Sequence, residues 1–167
     1  MKVITNIKLK GLCKMANKTV TIDTKEYNVY ATVSEANDYF AASFGSEWSD
    51  IAETDKSKLL VSATRNIDKR DYQGEKVDPE QPLKFPRIIA DEQTDDNLLV
   101  MACCEVAMSL YLNGGISVSA SISGIQSVSL GDSSVSFKEG ANIESEENSI
   151  IDDYLSDYLM GGVRVIL

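Results

Sequence analysis

The spacing of apolar positions changes along the chain and predicts helices first and strands later. Thr19-Val20-Thr21-Ile22 alternates and is β-branched, which predicts a short strand. Ser34 is placed to cap a helix over about 35–44, with Ala36, Tyr39, Phe40 and Phe44 on one face and Gly45 at its end. A longer helix over about 49–70 buries Ile51, Leu59, Leu60, Ala63 and Ile67. Trp48 anchors its start as a core residue, and Lys69 and Arg70 fall in its last turn, where cations suit the helix dipole. A third helix over about 95–112 begins at Asp95-Asp96 and carries Leu98, Leu99, Met101, Ala102, Val106, Leu110 and Tyr111. It is apolar around most of its surface, which predicts the buried centre of a bundle, closed off by Gly114-Gly115.

Residues 71–93 hold all three prolines and Gly74, and predict a long, extended connection, because proline forbids helix and biases its predecessor to extended backbone. After residue 115 the chain turns serine-rich, with Ile116, Val118, Ile122, Ile125, Val128, Leu130, Val135 and Phe137 alternating. Leu130-Gly131-Asp132-Ser133 predicts a turn between strands 127–130 and 134–138. A last helix over about 147–159 carries Ile150, Ile151, Tyr154, Leu155, Tyr158 and Leu159 at helical spacing, followed by a strand-like tail, 163–167. The expected fold class is mainly α. A small bundle (33–113) with a long proline-containing loop is followed by a hairpin, a C-terminal helix and a tail (115–167), all in one domain over 19–167. Residues 1–18 are expected to be a flexible or mis-called extension, with Met15 as a second start.

Charge and residue usage narrow the function. The formal net charge is −10, yet residues 1–22 hold five lysines and no acid, so the remainder is more acidic than the total. An acidic body repels phosphate backbones, which argues against broad DNA binding while leaving room for a local basic patch. With no histidine, a Ser-His-Asp triad is impossible and the commonest metal ligand is missing. Cys103 and Cys104 are expected to pack as small hydrophobes, and the odd count of three cysteines argues against a disulfide framework. Glu144, Glu146 and Glu147 match no calcium loop. No enzyme, cofactor or metal is expected, and neither a membrane span nor a signal peptide. For nucleic acid the candidates are Lys56, Lys58, Arg65, Lys69 and Arg70 near Tyr72, with a solvated helix face as the plainer reading.

Several phrases together carry a resemblance. They are the first alternating segment, Val33-Ser34-Glu35-Ala36-Asn37-Asp38-Tyr39-Phe40, Trp48, the helical run 58–68, Gly74 and Gln81-Pro82-Leu83-Lys84-Phe85-Pro86-Arg87. From residue 19 onward the chain resembles small phage proteins of the head–tail connector or adaptor family, sometimes labelled DnaT-like single-stranded-DNA-binding proteins. The resemblance implies a structural virion protein: a ring, usually of twelve copies, below the portal, joining head to tail. Its implied partners are other copies of the chain, the portal protein and a stopper or tail-completion protein. DNA would pass through the channel without specific binding, and no catalytic residue is carried over. The interface candidates are Phe85, Pro86, Arg87, Tyr158, Val163, Arg164, Val165, Ile166 and Leu167. For Phe85 the plainer expectation is a plug in its own bundle, and for Arg87 an ion pair with a helical acid. The alternative function is a single-stranded-DNA-binding phage replication protein.

Overall fold

In a computed structural model of the chain, residues 18–113, 127–130, 133–136 and 146–160 are described below. Strand β1 (Thr19–Ile22) pairs antiparallel with β2 (Lys25–Asn28), Val20 opposite Tyr27 and Ile22 opposite Lys25. Asp23, at φ 56°, makes the tight turn between them. The side chains of Val20, Ile22, Lys25, Tyr27 and Val29 share one face by the period of two, and Val20 and Val29 are buried there with Val61.

Helix α1 (Val33–Ala41) starts two residues earlier than Ser34 implied. Thr32 is the N-cap, and Thr32 and Glu35 form a reciprocal capping box, which satisfies two end donors at once. The helix stops at Ala41, so Phe44 leaves the helical period. It stands fully exposed in the following turn instead of joining the buried face. A single 3-10 turn (Glu47–Asp50) buries Trp48, stacked on Phe40 at 4.9 Å between ring centroids. Helix α2 (Glu53–Asp68) follows, with Leu60, Ala63 and Ile67 buried as expected; Ile51 is buried ahead of it.

Helix α3 (Asp96–Leu112) is capped by Asp95, whose carboxylate accepts the Asn97 N–H at 2.8 Å. It is the centre that its composition predicts. Leu99, Ala102, Cys103, Cys104, Val106 and Ala107 are inaccessible, with α2 packed on one side and α4 (Glu146–Leu155) on the other through Ile151 and Leu155. Leu99, Val106, Ile151 and Leu155 each contribute about 1.5–3 kcal/mol by leaving water. A second 3-10 turn, Ser156–Tyr158, ends α4.

The connection 71–93 is not an open loop. It folds into a three-stranded sheet, β3 (Glu75–Lys76), β4 (Arg87–Ile89) and β5 (Glu92–Gln93), in the order β3-β4-β5. All three prolines fall outside these strands, where the missing N–H breaks no ladder. The strands are too short to show a period in sequence. The expected serine-rich hairpin is present as β6 (Ser127–Leu130) paired with β7 (Ser133–Ser136). The expected strand positions 116–125 and the tail 163–167 lie outside the described residues. The chain is thus a helical core with small antiparallel sheets.

Lys18, placed by its sequence in the extension, belongs to the fold. Its ammonium bridges Glu35 of α1 at 2.7 Å and Asp96 of α3 at 2.9 Å. Burial pushes the Glu35 carboxyl up, but the Lys18 and Thr32 hydrogen bonds outweigh it and hold Glu35 below its ordinary 4.5. Burial likewise pulls Lys18 down, and its two carboxylate partners more than restore it above 10.5. A depressed carboxyl gives stability that is present above its unfolded value and lost as pH falls through the folded one. The loss from Glu35 therefore falls below pH 4.5, and that from Lys18 above pH 10.5. In Glu35→Gln, urea unfolding measured between neutral pH and pH 3 is expected to show a shallower acid loss than the parent. Parallel curves would contradict the assignment.

Candidate functional site

The segment 81–87 is a folded buckle rather than a free strip. Gln81 organises its turn: its side-chain N–H groups reach the carbonyls of Leu83 at 3.0 Å and Pro86 at 3.1 Å, and its side-chain oxygen accepts the Asp78 N–H at 3.1 Å. The Lys84 N–H donates to Asp68 at 3.2 Å, and the Phe85 N–H to the Tyr30 hydroxyl at 3.3 Å. Tyr30 in turn donates to Asp68. The Phe85–Pro86 peptide is cis. Phe85 is 3% exposed and packs edge-on to Tyr72 at 4.5 Å and Tyr30 at 5.9 Å, with Tyr158 at 5.9 Å. It plugs its own bundle.

Arg87 departs from the expected pairing with a helical acid. Among the described residues its guanidinium donates to backbone carbonyls: Gln73 at 2.6 Å, Tyr72 at 3.2 Å, Lys84 at 3.3 Å, and Gly74. Five donors in a rigid fork can satisfy several carbonyls at once, which a carboxylate partner would not require. Arg87 thus ties the start of the connection to the buckle.

The C-terminal segment is stitched to the same place. The Gln73 N–H donates to the Tyr158 carbonyl at 2.8 Å, and the Met160 N–H to the Asp71 carbonyl at 2.9 Å. The Asp95 N–H reaches the Tyr158 hydroxyl at 3.2 Å, and Arg70 pairs with Asp152 of α4. Of the interface candidates, Phe85, Pro86, Arg87 and Tyr158 are therefore brought together here. Val163, Arg164, Val165, Ile166 and Leu167 lie outside the described residues.

The cationic candidates separate into two groups. Lys56 is buried over the Trp48 ring and bonded to Glu53 and Asn37. Lys58 pairs with Asp55 at 2.9 Å, and Arg70 with Asp152. Tyr72 is buried, its hydroxyl spent on the Ile67 carbonyl at 2.8 Å. Arg65 in the last turn of α2 and Lys69 at its C-cap are exposed and have no acid partner among the described residues, where the Lys69 ammonium donates to Asn66 at 3.1 Å.

Arg65 and Lys69 border an open cleft of about 480 Å³ between the β1–β2 hairpin, α2 and the buckle. Tyr27, Val61, Pro82 and Leu83 form its apolar walls. Lys25 lies 5.5 Å from the Tyr27 ring centre. Asp68 is the one acid of the lining, already accepting from Tyr30 and Lys84. A second cleft, of about 550 Å³ between Ile51, Leu59 and Tyr111, is edged by Asp50, Asp55 and Lys58; Lys58 is paired with Asp55, so the rim keeps a net negative charge that disfavours anions. Sequence reasoning reached Arg65 and Lys69 but missed Lys25 and Tyr27. The two-residue Asp23-Thr24 spacing after an alternating strand is the signal that would have found them.

The two described cysteines are buried and are poor nucleophiles. Burial pushes the Cys103 thiol up to about 11, and Cys104 is raised by the same cause. Among the described residues no group of three or more histidine, cysteine or acidic side chains is placed to hold a metal ion, and no helix is long and apolar enough to cross a membrane.

No curated protein and no solved structure matches the chain. A family model does match, over residues 19–166, and its description reads "Putative DnaT-like ssDNA binding protein". Spanning nearly the whole sequence, that match places the chain in a family: it belongs to the DnaT-like proteins so described.

Proposed function

We propose that the protein binds single-stranded DNA without catalysing a reaction on it. The observation that carries this reading is the family match over residues 19–166. Exposed Arg65 and Lys69 beside Tyr27 add to it, since cations interleaved with an aromatic hold phosphates and stack bases. The net charge of −10 keeps the binding local and weak, with dissociation constants of roughly 10⁻⁴–10⁻⁶ M near physiological salt. If Lys25, Arg65 and Lys69 each neutralise one phosphate, the logarithm of the binding constant should fall with that of salt at a slope of about −2. Fluorescence anisotropy of a labelled oligothymidylate across a salt series measures it. A slope near zero, or no binding at low salt, would overturn the reading.

A second reading, a head–tail connector subunit, is supported by the Gln-Pro-Leu-Lys-Phe-Pro-Arg buckle and by the acidic body, which suits a channel wall that must not hold DNA. Under it the chain assembles as a ring on the portal within the virion, and Pro86, Arg87 and the tail 163–167 meet neighbouring subunits. Co-sedimentation of the protein with portal rings tests that reading separately.

A further inference from the structure

We propose that the cleft beside β2 holds one nucleotide of a single strand, with its base against Tyr27, Pro82 and Leu83 and its two flanking phosphates on Arg65 and Lys69. This assignment rests on the single-strand reading above and names the site for it.

Three features of the cleft converge on that ligand. The first is shape. About 480 Å³ lies within the range of small-molecule sites and suits one nucleotide, whereas a duplex would have to bring a second charged backbone against an acidic protein. The second is the wall. A tyrosine ring flanked by proline and leucine offers a flat apolar surface to any base, which gives affinity without sequence preference. Tyr27 lies on the hairpin face that packs on α2, alongside Val20 and Val29, so its ring is held in place. The third is charge. Arg65, in the last turn of α2, and Lys69, its C-cap, are four residues apart and hence neighbours on one side of the helix end. Other candidate cations on the same helix and just beyond it are committed to acids: Lys56 to Glu53, Lys58 to Asp55, Arg70 to Asp152. Arg65 and Lys69 are the pair left facing a cavity. Asp68, the acid within the lining, carries the Tyr30 hydroxyl and the Lys84 N–H, two donors that temper its charge toward an incoming phosphate.

The test uses the full chain and a labelled oligothymidylate of about twelve nucleotides, a length within the footprint of small single-strand binders. Tyr27→Ala is expected to weaken binding about tenfold, with Tyr27→Phe near the parent. The double variant Arg65→Glu, Lys69→Glu is expected to weaken it about tenfold or more and to flatten the salt slope by about 0.7 for each lost phosphate contact. Lys58→Ala, which alters a paired cation outside the cleft, should change affinity less than about twofold. Melting temperatures show whether each variant is folded. If Tyr27→Ala is not, an oligonucleotide carrying 5-iodouracil is photo-crosslinked to the parent chain, and the modified peptide is expected to contain Tyr27. Binding by the parent that is unaffected by the cleft variants, or a crosslink elsewhere, overturns this site while the single-strand reading stands. No binding by the parent overturns both.

Discussion

Phe85→Ala is expected to lose about 3–5 kcal/mol of folding stability, the range for removing a large aromatic side chain from a close-packed interior. Domains of this size are stable by only about 5–15 kcal/mol, so the variant should sit near the edge of unfolding. The cost arises from position. The ring is enclosed by Tyr30, Tyr72 and Tyr158, which come from three separate parts of the chain. Those walls cannot collapse into the space independently. Tyr30 is fixed through Asp68, Tyr72 through the Ile67 carbonyl, and Tyr158 through the Asp95 N–H. Phe85→Leu, which keeps part of the volume, should lose less than half as much. Urea unfolding followed by circular dichroism measures both, and a loss under about 1 kcal/mol for the alanine variant would show that the buckle is not anchored by its aromatic.

The next largest effect is expected from Gly74→Ala, at about 2–5 kcal/mol. Gly74 has φ +70°, where an L-residue costs about 1–2 kcal/mol. The larger part is contact. A Cβ there would lie 2.0 Å from the Ile88 carbonyl oxygen and 2.8 Å from the Ile89 side chain. Because Glu75 pairs with Ile88 in the adjoining ladder, relief requires β3 and β4 to part. Forcing atoms into a filled site typically adds about 1–3 kcal/mol. The Gly74 carbonyl also receives the Arg87 guanidinium, so the shift would loosen the knot that holds the connection. Gly45 supplies the control. Its φ is +72°, yet a Cβ there meets nothing within 4 Å, so Gly45→Ala should cost only the backbone term. Equal losses for the two variants would refute the close-approach account.

The helices were legible in the sequence because their periods are long and strongly marked. The central placement of α3 follows from its apolar circumference, and the burial of Trp48 from its place at a helix start. Phe85 was legible as a plug because a large aromatic side chain usually serves its own core, and it is buried there. Boundaries were less legible. Thr32 and Ser34 are both good caps, and the reciprocal bond with Glu35 is what decides between them. Arg87 was misread because backbone carbonyls leave no trace in a sequence as acceptors, whereas acids do. The three-stranded sheet escaped notice because strands of two or three residues cannot display alternation. The cleft was half legible. Arg65 and Lys69 share a helical face in one run of sequence, but Tyr27 arrives from a strand and Pro82 from the connection, and only tertiary packing brings them together.

The acidic total and the cationic cleft point to different partners, and the two readings divide on that contrast. A connector subunit needs surfaces that decline DNA and accept other subunits. A single-strand binder needs a local site strong enough to overcome the repulsion around it. Native mass spectrometry of the purified chain mixed with an oligothymidylate of about twelve nucleotides decides between them most directly. Species whose mass equals the protein plus bound strand are expected, diminishing as salt is raised. Free protein or DNA-free rings at every strand concentration, at low salt, would contradict the single-strand reading.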